Sequence, residues 1–335
     1  MINEAKLIAR LCSIIPSRTG VRDKGEILVG IGDDAAVIRP RPGRDWVVST
    51  DALIEGAHFL PRLHPADAVG YKALARASSD LAAMGAVPRY FFLTLSLPAR
   101  RAGAWLDAFA RGMARAARKF RMQLLGGDLS RHNAVSVVLT VIGEARRGDV
   151  LLRSGARPGD ALYVSGCLGA AQEGLERLLR EGARALAHRS SSTALRRHLC
   201  PEPRLQLGLW LARKKLATAA MDLSDGLSSD LARLCAASGV GAKVEQEHLP
   251  LAGSVASSRS RADSLARALH GGEDYELLFT VPQRLLRRIP SRFAGIPLTR
   301  IGKITRDPGV LLLDNAGGAR PLLPRGWDHF SGARR

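Results

Sequence analysis

Seven aspartates stand in short stretches rich in Gly, Ser and Thr: Asp33 and Asp34 in GIGDDAAV, Asp51 in VVSTDALIEGAHF, Asp128 in LLGGDLSR, Asp222 and Asp225 in MDLSDGLSSD, and Asp274 in HGGEDYELLF. Carboxylates gathered into glycine turns behind apolar runs are oxygen donors suited to a hard cation such as Mg²⁺, whose shell a few carboxylates share with substrate phosphates. In a chain whose formal net charge is +19, that pattern points to phosphate chemistry.

Each stretch has a plainer reading beside this one. Asp33 and Asp34 follow an apolar run between glycines that let a ligand approach the backbone, yet Asp-Asp after glycine is equally a turn. Adjacent carboxylates cannot face one way on a strand, so one of the two leads on the metal. Ser49, Thr50 and Asp51 put three oxygen-bearing side chains at a strand end, where an Asx or ST turn would use the same residues. Asp80, in a helical stretch, follows Arg76 by four residues, the spacing of an ion pair. Gly126 and Gly127 free backbone N–H groups for an anion next to Asp128. Asp222, Ser224 and Asp225 precede a helix, and capping accounts for only one of them. Glu273 and Asp274 occupy a glycine turn before an apolar strand. Arg153, in the turn-rich RSGARPGD, could grip phosphate through two N–H groups or simply lie on the surface.

Several familiar devices are absent: GxxxxGK[ST], GxGxxG leading a helix, HExxH and GxSxG. A nucleotide user with this sequence is therefore of another kind. The positive charge is dispersed, as in Arg111, Arg115 and Arg118, and aromatic residues make up only 5% of the chain. A basic stripe interleaved with aromatics, which nucleic-acid binding wants, is not evident. The four cysteines Cys12, Cys167, Cys200 and Cys235 form no CxxC pair, so a disulfide framework and a zinc site are not expected, and a reducing cytoplasm is. No apolar run approaches the roughly 18 residues of a membrane span.

The elements that must position these residues can be read from periodicity. Strands are expected over Ile27 to Ile31, Trp46 to Ser49, Phe91 to Leu97 and Val135 to Ile142, each β-branched or apolar and bounded by Gly, Asp or Pro. Val69, Ala73, Ala77, Leu81 and Met84 recur at helical spacing, predicting a helix from His64 to Gly85, and a second covers Ala102 to Phe120. Between Glu144 and Asp160 periodicity gives way to Arg, Gly and Pro, the composition of a connection. With 335 residues, two mixed α/β (α+β) domains are expected, 1–148 and 149–335. The second begins with strand-like Ala161 to Gly166. It continues with helices over Ala170 to Ala187, Pro203 to Lys215 and beyond Ser228, and strands at Glu276 to Val281 and Val310 to Leu313. Ser190 to Ser192 and Ser254 to Ser260 read as loops.

Taken in order, GIGDDAAVI, STDALIEGAHF, SSDLAAMGAVP, LLGGD, RSGARPGDALYVSG, MDLSDGLSSDL, GGEDYELLFTVP and the terminal GWDHF resemble the thiamine-monophosphate kinases. These form a branch of the superfamily that includes aminoimidazole ribonucleotide synthetase, selenophosphate synthetase and a hydrogenase maturation protein. The resemblance runs from about residue 27 to 330; GDDA is common to the superfamily, whereas STD followed by GAHF, GGEDYEL and GWDHF together mark the branch. It implies an N-terminal domain that dimerises through its sheet, a C-terminal α/β domain, and ATP bound between the two. It implies Mg²⁺-dependent phosphorylation of thiamine monophosphate to thiamine diphosphate, the final step of that cofactor's biosynthesis, with ATP as co-substrate. By position, Asp34, Thr50, Asp51, Asp80, Asp128 and Asp222 match metal residues, with Ser49 and Asp225 near metal and Asp33 a further candidate. Gly127, Asp128, Arg153 and Ser224 match positions near ATP, and His58, Glu273 and Trp327 match the thiamine side. Asp128 and Arg153 would act by positioning and charge. Departures occur at Ser78, Leu129, Ala170 and Ala171; Leu129 supplies no side-chain hydroxyl for a phosphate contact.

The implied partners are thiamine monophosphate, ATP and a second copy of the chain, with neither nucleic acid nor membrane. The nearest rival is a sibling ATP-dependent enzyme for another small molecule. From another class, the high positive charge keeps a nucleic-acid-binding protein as the alternative.

Overall fold

The computed structural model describes residues 4–17, 26–32, 35–252 and 260–330. Contacts divide the chain into two compact units, Met1–Leu81 with Ala86–Gly148, and Asp149–Arg335 with the short Ala82–Gly85.

The first unit contains α1 (Glu4–Ile14), β1 (Ile27–Val29), β2 (Val37–Ile38), β3 (Arg44–Ile54), α2 (Ala66–Ala83), β4 (Val87–Leu97), α3 (Ala104–Phe120), β5 (Gln123–Arg131) and β6 (Ser136–Arg146). Four of these strands form one sheet in the order β3-β6-β4-β5. All its pairings are antiparallel except β4 with β5. Alternation along β3 decides which side chains meet a helix. Val47 and Leu53 are buried while Val48 and Ile54 are exposed, so odd-numbered residues face inward. Leu74, Ala77 and Leu81 of α2 and Phe109 and Met113 of α3 are fully buried, as is Phe91 of β4. A large apolar side chain removed from water in this way contributes about 1.5–3 kcal/mol. On the even-numbered face, the β1–β2 ladder brings Ile27 and Ile38 against Tyr90, Leu125 and Ile142. Tyr90 Oη pins the ladder's start by donating to Glu26 at 2.9 Å.

The second unit contains β7 (Ala161–Ser165), α4 (Ala170–Glu181), α5 (Thr193–Leu199), α6 (Leu205–Arg213), β8 (Ala219–Asp222), α7 (Leu227–Ser238), β9 (Gly241–Glu245), α8 (Arg261–His270), β10 (Leu277–Val281), β11 (Arg292–Phe293), β12 (Ile296–Thr305), β13 (Gly309–Leu313) and β14 (Ala319–Pro321). Its sheet runs β14-β13-β9-β12-β7-β10-β8, with β11 paired to β12. Every residue of β10 is buried, which explains its largely apolar sequence LLFTV; the hydroxyl of Thr280 is satisfied by Thr218 Oγ1 at 2.6 Å and the Ala219 N–H at 3.0 Å. Leu231 and Leu234 of α7 and Leu269 of α8 join Val164, Met221, Leu278 and Ile301 in one core cluster. Antiparallel pairing sets Asp222 opposite Leu277, so the end of β8 lies beside the start of β10.

Two expectations differ from the fold. The helix expected over Ala170 to Ala187 ends at Glu181, and a 3-10 turn follows from Gly182. Gly182 has a φ of 62°, which right-handed helix does not accommodate. The stretch LLGGD, expected as a turn, runs inside β5. Gly127 there has a φ of 152°, and a Cβ would stand 1.8 Å from the Leu93 carbonyl oxygen. The glycine is needed for the close approach of β5 to β4 at an irregularity in the ladder. Part of the expected Ser254 to Ser260 loop, 254–259, lies outside the described residues.

Candidate active site

In the first unit, α2 carries the groups that meet the inward face of β3. Ser49 donates to Asp80, which is thereby fixed against the strand. Arg76, one helical turn before Asp80, grips both oxygens of Asp51 at 3.1 and 3.3 Å. The carboxylates of Asp51 and Asp80 and the Ser49 hydroxyl are hard oxygen donors of the kind Mg²⁺ takes, so these residues suit the metal implied by the sequence resemblance.

Thr50, expected alongside Ser49 and Asp51, turns its side chain to the opposite sheet face, where it bonds Thr140 at 3.0 Å. The reason is the two-residue period of a strand. Asp128 is exposed and shares this outer face, since it pairs with Thr94, which pairs with Val138, which pairs with Ala52. Three inter-strand steps, about 14 Å of sheet width, separate Asp128 from Thr50. Asp33 and Asp34 lie outside the described residues. Among the described residues, no group of three or more His, Cys, Asp or Glu side chains is close enough to hold one metal ion. His58 is buried, and its Nδ1 accepts from the Ile54 N–H at 3.0 Å. It closes the turn after β3.

In the second unit, backbone hydrogen bonds assemble most of the expected residues at one end of β8 and β10. The Glu273 N–H donates to the Ser224 carbonyl at 2.8 Å and the Tyr275 N–H to that of Leu223 at 2.9 Å. Trp327 N–H donates to the Asp225 carbonyl at 3.0 Å, while Gly326 N–H bonds Ser229 Oγ at the same distance. The turn after β8, the turn before β10 and the C-terminal segment are thus tied together. This gathers Asp222, Ser224, Asp225, Glu273 and Trp327. Asp222 is almost fully buried, and Trp327 is half-buried with its ring edge-on to His329. Arg153 stands apart. Its segment runs along β8, with the Leu152 carbonyl accepting from Ala220 N–H at 2.9 Å, and its side chain is exposed.

Residues beyond the expected site set hold this arrangement. Asp230 is buried in the first turn of α7 and accepts from the N–H groups of Asp225 and Gly226 at 3.0 and 3.1 Å. Burial, with the Asp225 charge, pushes its pKa up to about 6 against the pull of Arg233 and the two N–H groups. Arg233 bridges Asp230 and Asp225. An acid one turn after MDLSDG was the available signal, since such an acid can reach back to unbonded helix N–H groups. Asp274, the last of the seven aspartates, serves α4: it accepts from Gly169 N–H at 2.6 Å and Ala171 N–H at 3.2 Å. Desolvation pushes its pKa up to about 7. Glu276 is buried beneath the turn, bonded by Arg204 and by Ser165 Oγ at 2.6 Å. These partners are 72 and 111 residues away, beyond any local pattern.

Residues 32–145 match the AIR synthase related protein N-terminal domain, and residues 157–314 match its C-terminal domain. The chain is 38% identical to the thiamine-monophosphate kinase of Escherichia coli K12 over 330 residues, 98% of each chain. The solved thiamine-monophosphate kinase of Stenotrophomonas maltophilia K279a is 39% identical, with a TM-score of 0.78 over 92% of this chain and 94% of that one. A structure described as AaThiL complexed with AMPPCP and TMP is 33% identical, with a TM-score of 0.73 over 90% and 92%.

Proposed function

The chain belongs to the AIR synthase related family, among its thiamine-monophosphate kinases, and from that premise we propose how its residues serve the reaction ATP + thiamine monophosphate → ADP + thiamine diphosphate. The observation that carries the reading is 38% identity sustained along 98% of both chains. It is joined by the gathering of Ser224, Asp225, Glu273 and Trp327 through backbone bonds.

A phosphate monoester has a second pKa of about 6, so the attacking oxygen of thiamine monophosphate is largely ionised at neutral pH. No general base is required. The demand falls on holding two anions together with their oxygens in line, which is positioning and electrostatics. Mg²⁺, when bound, would neutralise charge on the phosphate oxygens. In the first unit Ser49, Asp51 and Asp80 are assigned to metal, and in the second unit Asp222 and Asp225 are; Asp33, Asp34, Thr50 and Asp128 are assigned to metal on resemblance alone. Arg153, Gly127, Asp128 and Ser224 are assigned to ATP, Arg153 as a fixed cation for its phosphates. On the acceptor side, Trp327 offers a π-face to the thiazolium cation, and Glu273 accepts from the aminopyrimidine. His58 is assigned to the same side, its Nδ1 being committed to the backbone.

A homodimer is the assigned working form. Along β3, Val48 and Ile54 are 57% and 42% exposed, an apolar strand face that a second copy would cover. No described helix is long and apolar enough to cross a membrane, and use of ATP in a chain of free thiols supports a cytoplasmic setting.

Thermal melting with ligands tests the reading. Thiamine monophosphate added to the protein with Mg²⁺ and AMPPCP should raise the melting temperature beyond that of nucleotide alone, because a ligand of the native state stabilises by mass action. No added shift at saturating thiamine monophosphate would remove it as the acceptor.

A further inference from the structure

Ser238, the last residue of α7, directs its hydroxyl away from its own helix. A helical serine that bonds locally takes the carbonyl four residues back. Here Ser238 Oγ donates to the Arg153 carbonyl at 3.0 Å and accepts from the Ala156 N–H at 3.2 Å. Those partners are 85 and 82 residues away in sequence, so the contact is not a by-product of local spacing. The hydroxyl stands between the carbonyl of one residue and the N–H three residues on, the two groups that a closed turn joins directly.

Both ends of this bridge are demanding. Ala156 is buried in the core cluster of the second unit, where an unpaired N–H is costly, and Ser238 supplies its partner. Leu231 and Leu234 are fully buried, so α7 offers the hydroxyl from a fixed point. The chain on either side of Arg153 is held by β8 and its approach. The Leu152 carbonyl accepts from Ala220 N–H at 2.9 Å. Gly155, with a φ of 116°, passes so near that a Cβ would stand 2.5 Å from the Thr218 carbonyl oxygen. Asp160 accepts from Arg157 N–H at 3.0 Å and from Thr218 Oγ1 at 2.6 Å. Among the described residues, Ser238 is the only group hydrogen-bonded to Arg153 itself, whose side chain is exposed.

We propose that Ser238 is a positioning residue for ATP: by holding the Arg153 carbonyl apart from the Ala156 N–H, it fixes the point from which the Arg153 guanidinium reaches the phosphates. The inference rests on the assignment of Arg153 to ATP. Ser238 touches no reacting atom. Without its hydroxyl, the buried Ala156 N–H is left to bond the Arg153 carbonyl directly, a closure that turns the Arg153 backbone. Glu273 and Trp327, on the acceptor side, are bonded to the turn after β8, which Ser238 does not touch.

Four proteins decide the matter: Arg153→Ala, Ser238→Ala, Ser238→Thr and the double variant Arg153→Ala with Ser238→Ala. Ser238 is half-buried, so the site tolerates alanine, and threonine keeps the hydroxyl. KM for ATP, KM for thiamine monophosphate and the melting temperature are measured for each. Ser238→Ala is expected to raise KM for ATP about fivefold, the scale of one hydrogen bond lost. KM for thiamine monophosphate should stay within about twofold of the parent, and melting should barely change. Ser238→Thr is expected to keep KM for ATP within about twofold of the parent, and Ser238→Ala to add nothing in the Arg153→Ala background. If Arg153→Ala raises KM for ATP and Ser238→Ala does not, the inference is overturned while the Arg153 assignment stands. A rise in both KM values together, no retention by threonine, or a further rise in the double variant would assign Ser238 to another task and overturn it too. An unchanged KM for ATP in Arg153→Ala removes the premise and the inference with it.

Discussion

Gly326→Ala would place a methyl group 2.0 Å from the Asp225 carbonyl oxygen and 2.7 Å from Ser229 Oγ, well inside the contact distance of carbon and oxygen. The carbonyl cannot retreat, because the N–H of the same residue is bonded to Asp230 at the start of α7. The C-terminal segment must move instead. It would give up the Gly326 N–H bond to Ser229 Oγ and the Trp327 N–H bond to the Asp225 carbonyl, both 3.0 Å. At about 0.5–1.5 kcal/mol net for each, the segment loses roughly 1–3 kcal/mol of local attachment. Residues 328–330 are exposed, so the loss is met by local release and global melting should barely change. Trp327 leaves with the segment. A cation–π contact of about 0.5–2 kcal/mol then translates into a rise of roughly 2- to 30-fold in KM for thiamine monophosphate. The assay is steady-state ADP release with each substrate varied in turn, run beside Trp327→Ala, which should match it. An unchanged KM for thiamine monophosphate, or a KM for ATP that rises equally, would refute the assignment of Trp327 to the acceptor.

Asp51→Asn and Asp222→Asn should each lower ADP formation by about a hundredfold or more with far-UV circular dichroism unchanged; near-normal turnover in either would remove that residue from the metal set. Arg204→Leu should destabilise the protein in urea by about 3–5 kcal/mol, because Glu276 is left charged and buried, whereas Arg204→Leu with Glu276→Leu should recover most of the loss. Equal stability of the single variant and the parent would contradict the buried pair. Asp274 holds a proton in the folded chain up to a pKa of about 7, against 3.8 for the ordinary group. Its contribution is therefore full below about pH 4 and is lost as pH rises through about 7. The melting-temperature difference between the parent and Asp274→Asn should accordingly shift against the parent across that window, and a flat difference would show that Asp274 ionises normally.

How much of this was legible beforehand follows the range of the interactions. The helices α2 and α3 and the strand β10 announce themselves by period or by a largely apolar run, since burial imposes those patterns locally. MDLSDG stood out from a plain helix start because capping accounts for too few of its acids. The LLGGD stretch was misread as a turn: glycine there answers the close approach of β4, a neighbour about 30 residues away in sequence that no local pattern identifies. The grouping of Thr50 with Ser49 and Asp51 ignored strand alternation, which sends it to Thr140. Contacts such as His198 with Glu273 and Arg204 with Glu276 carry no sequence signature, because their spacing is set by the whole path from α5 and α6 to β10.

The central claim is that the acidic and aromatic residues around β8, β10 and the C-terminal segment serve phosphoryl transfer from ATP to thiamine monophosphate. Its most direct measurement is the yield of ADP and thiamine diphosphate from purified protein with ATP and Mg²⁺, thiamine monophosphate present or withheld. The account predicts equal amounts of the two products when it is present and almost no ADP when it is withheld. ADP release that ignores thiamine monophosphate, or that leaves thiamine diphosphate unformed, would contradict it.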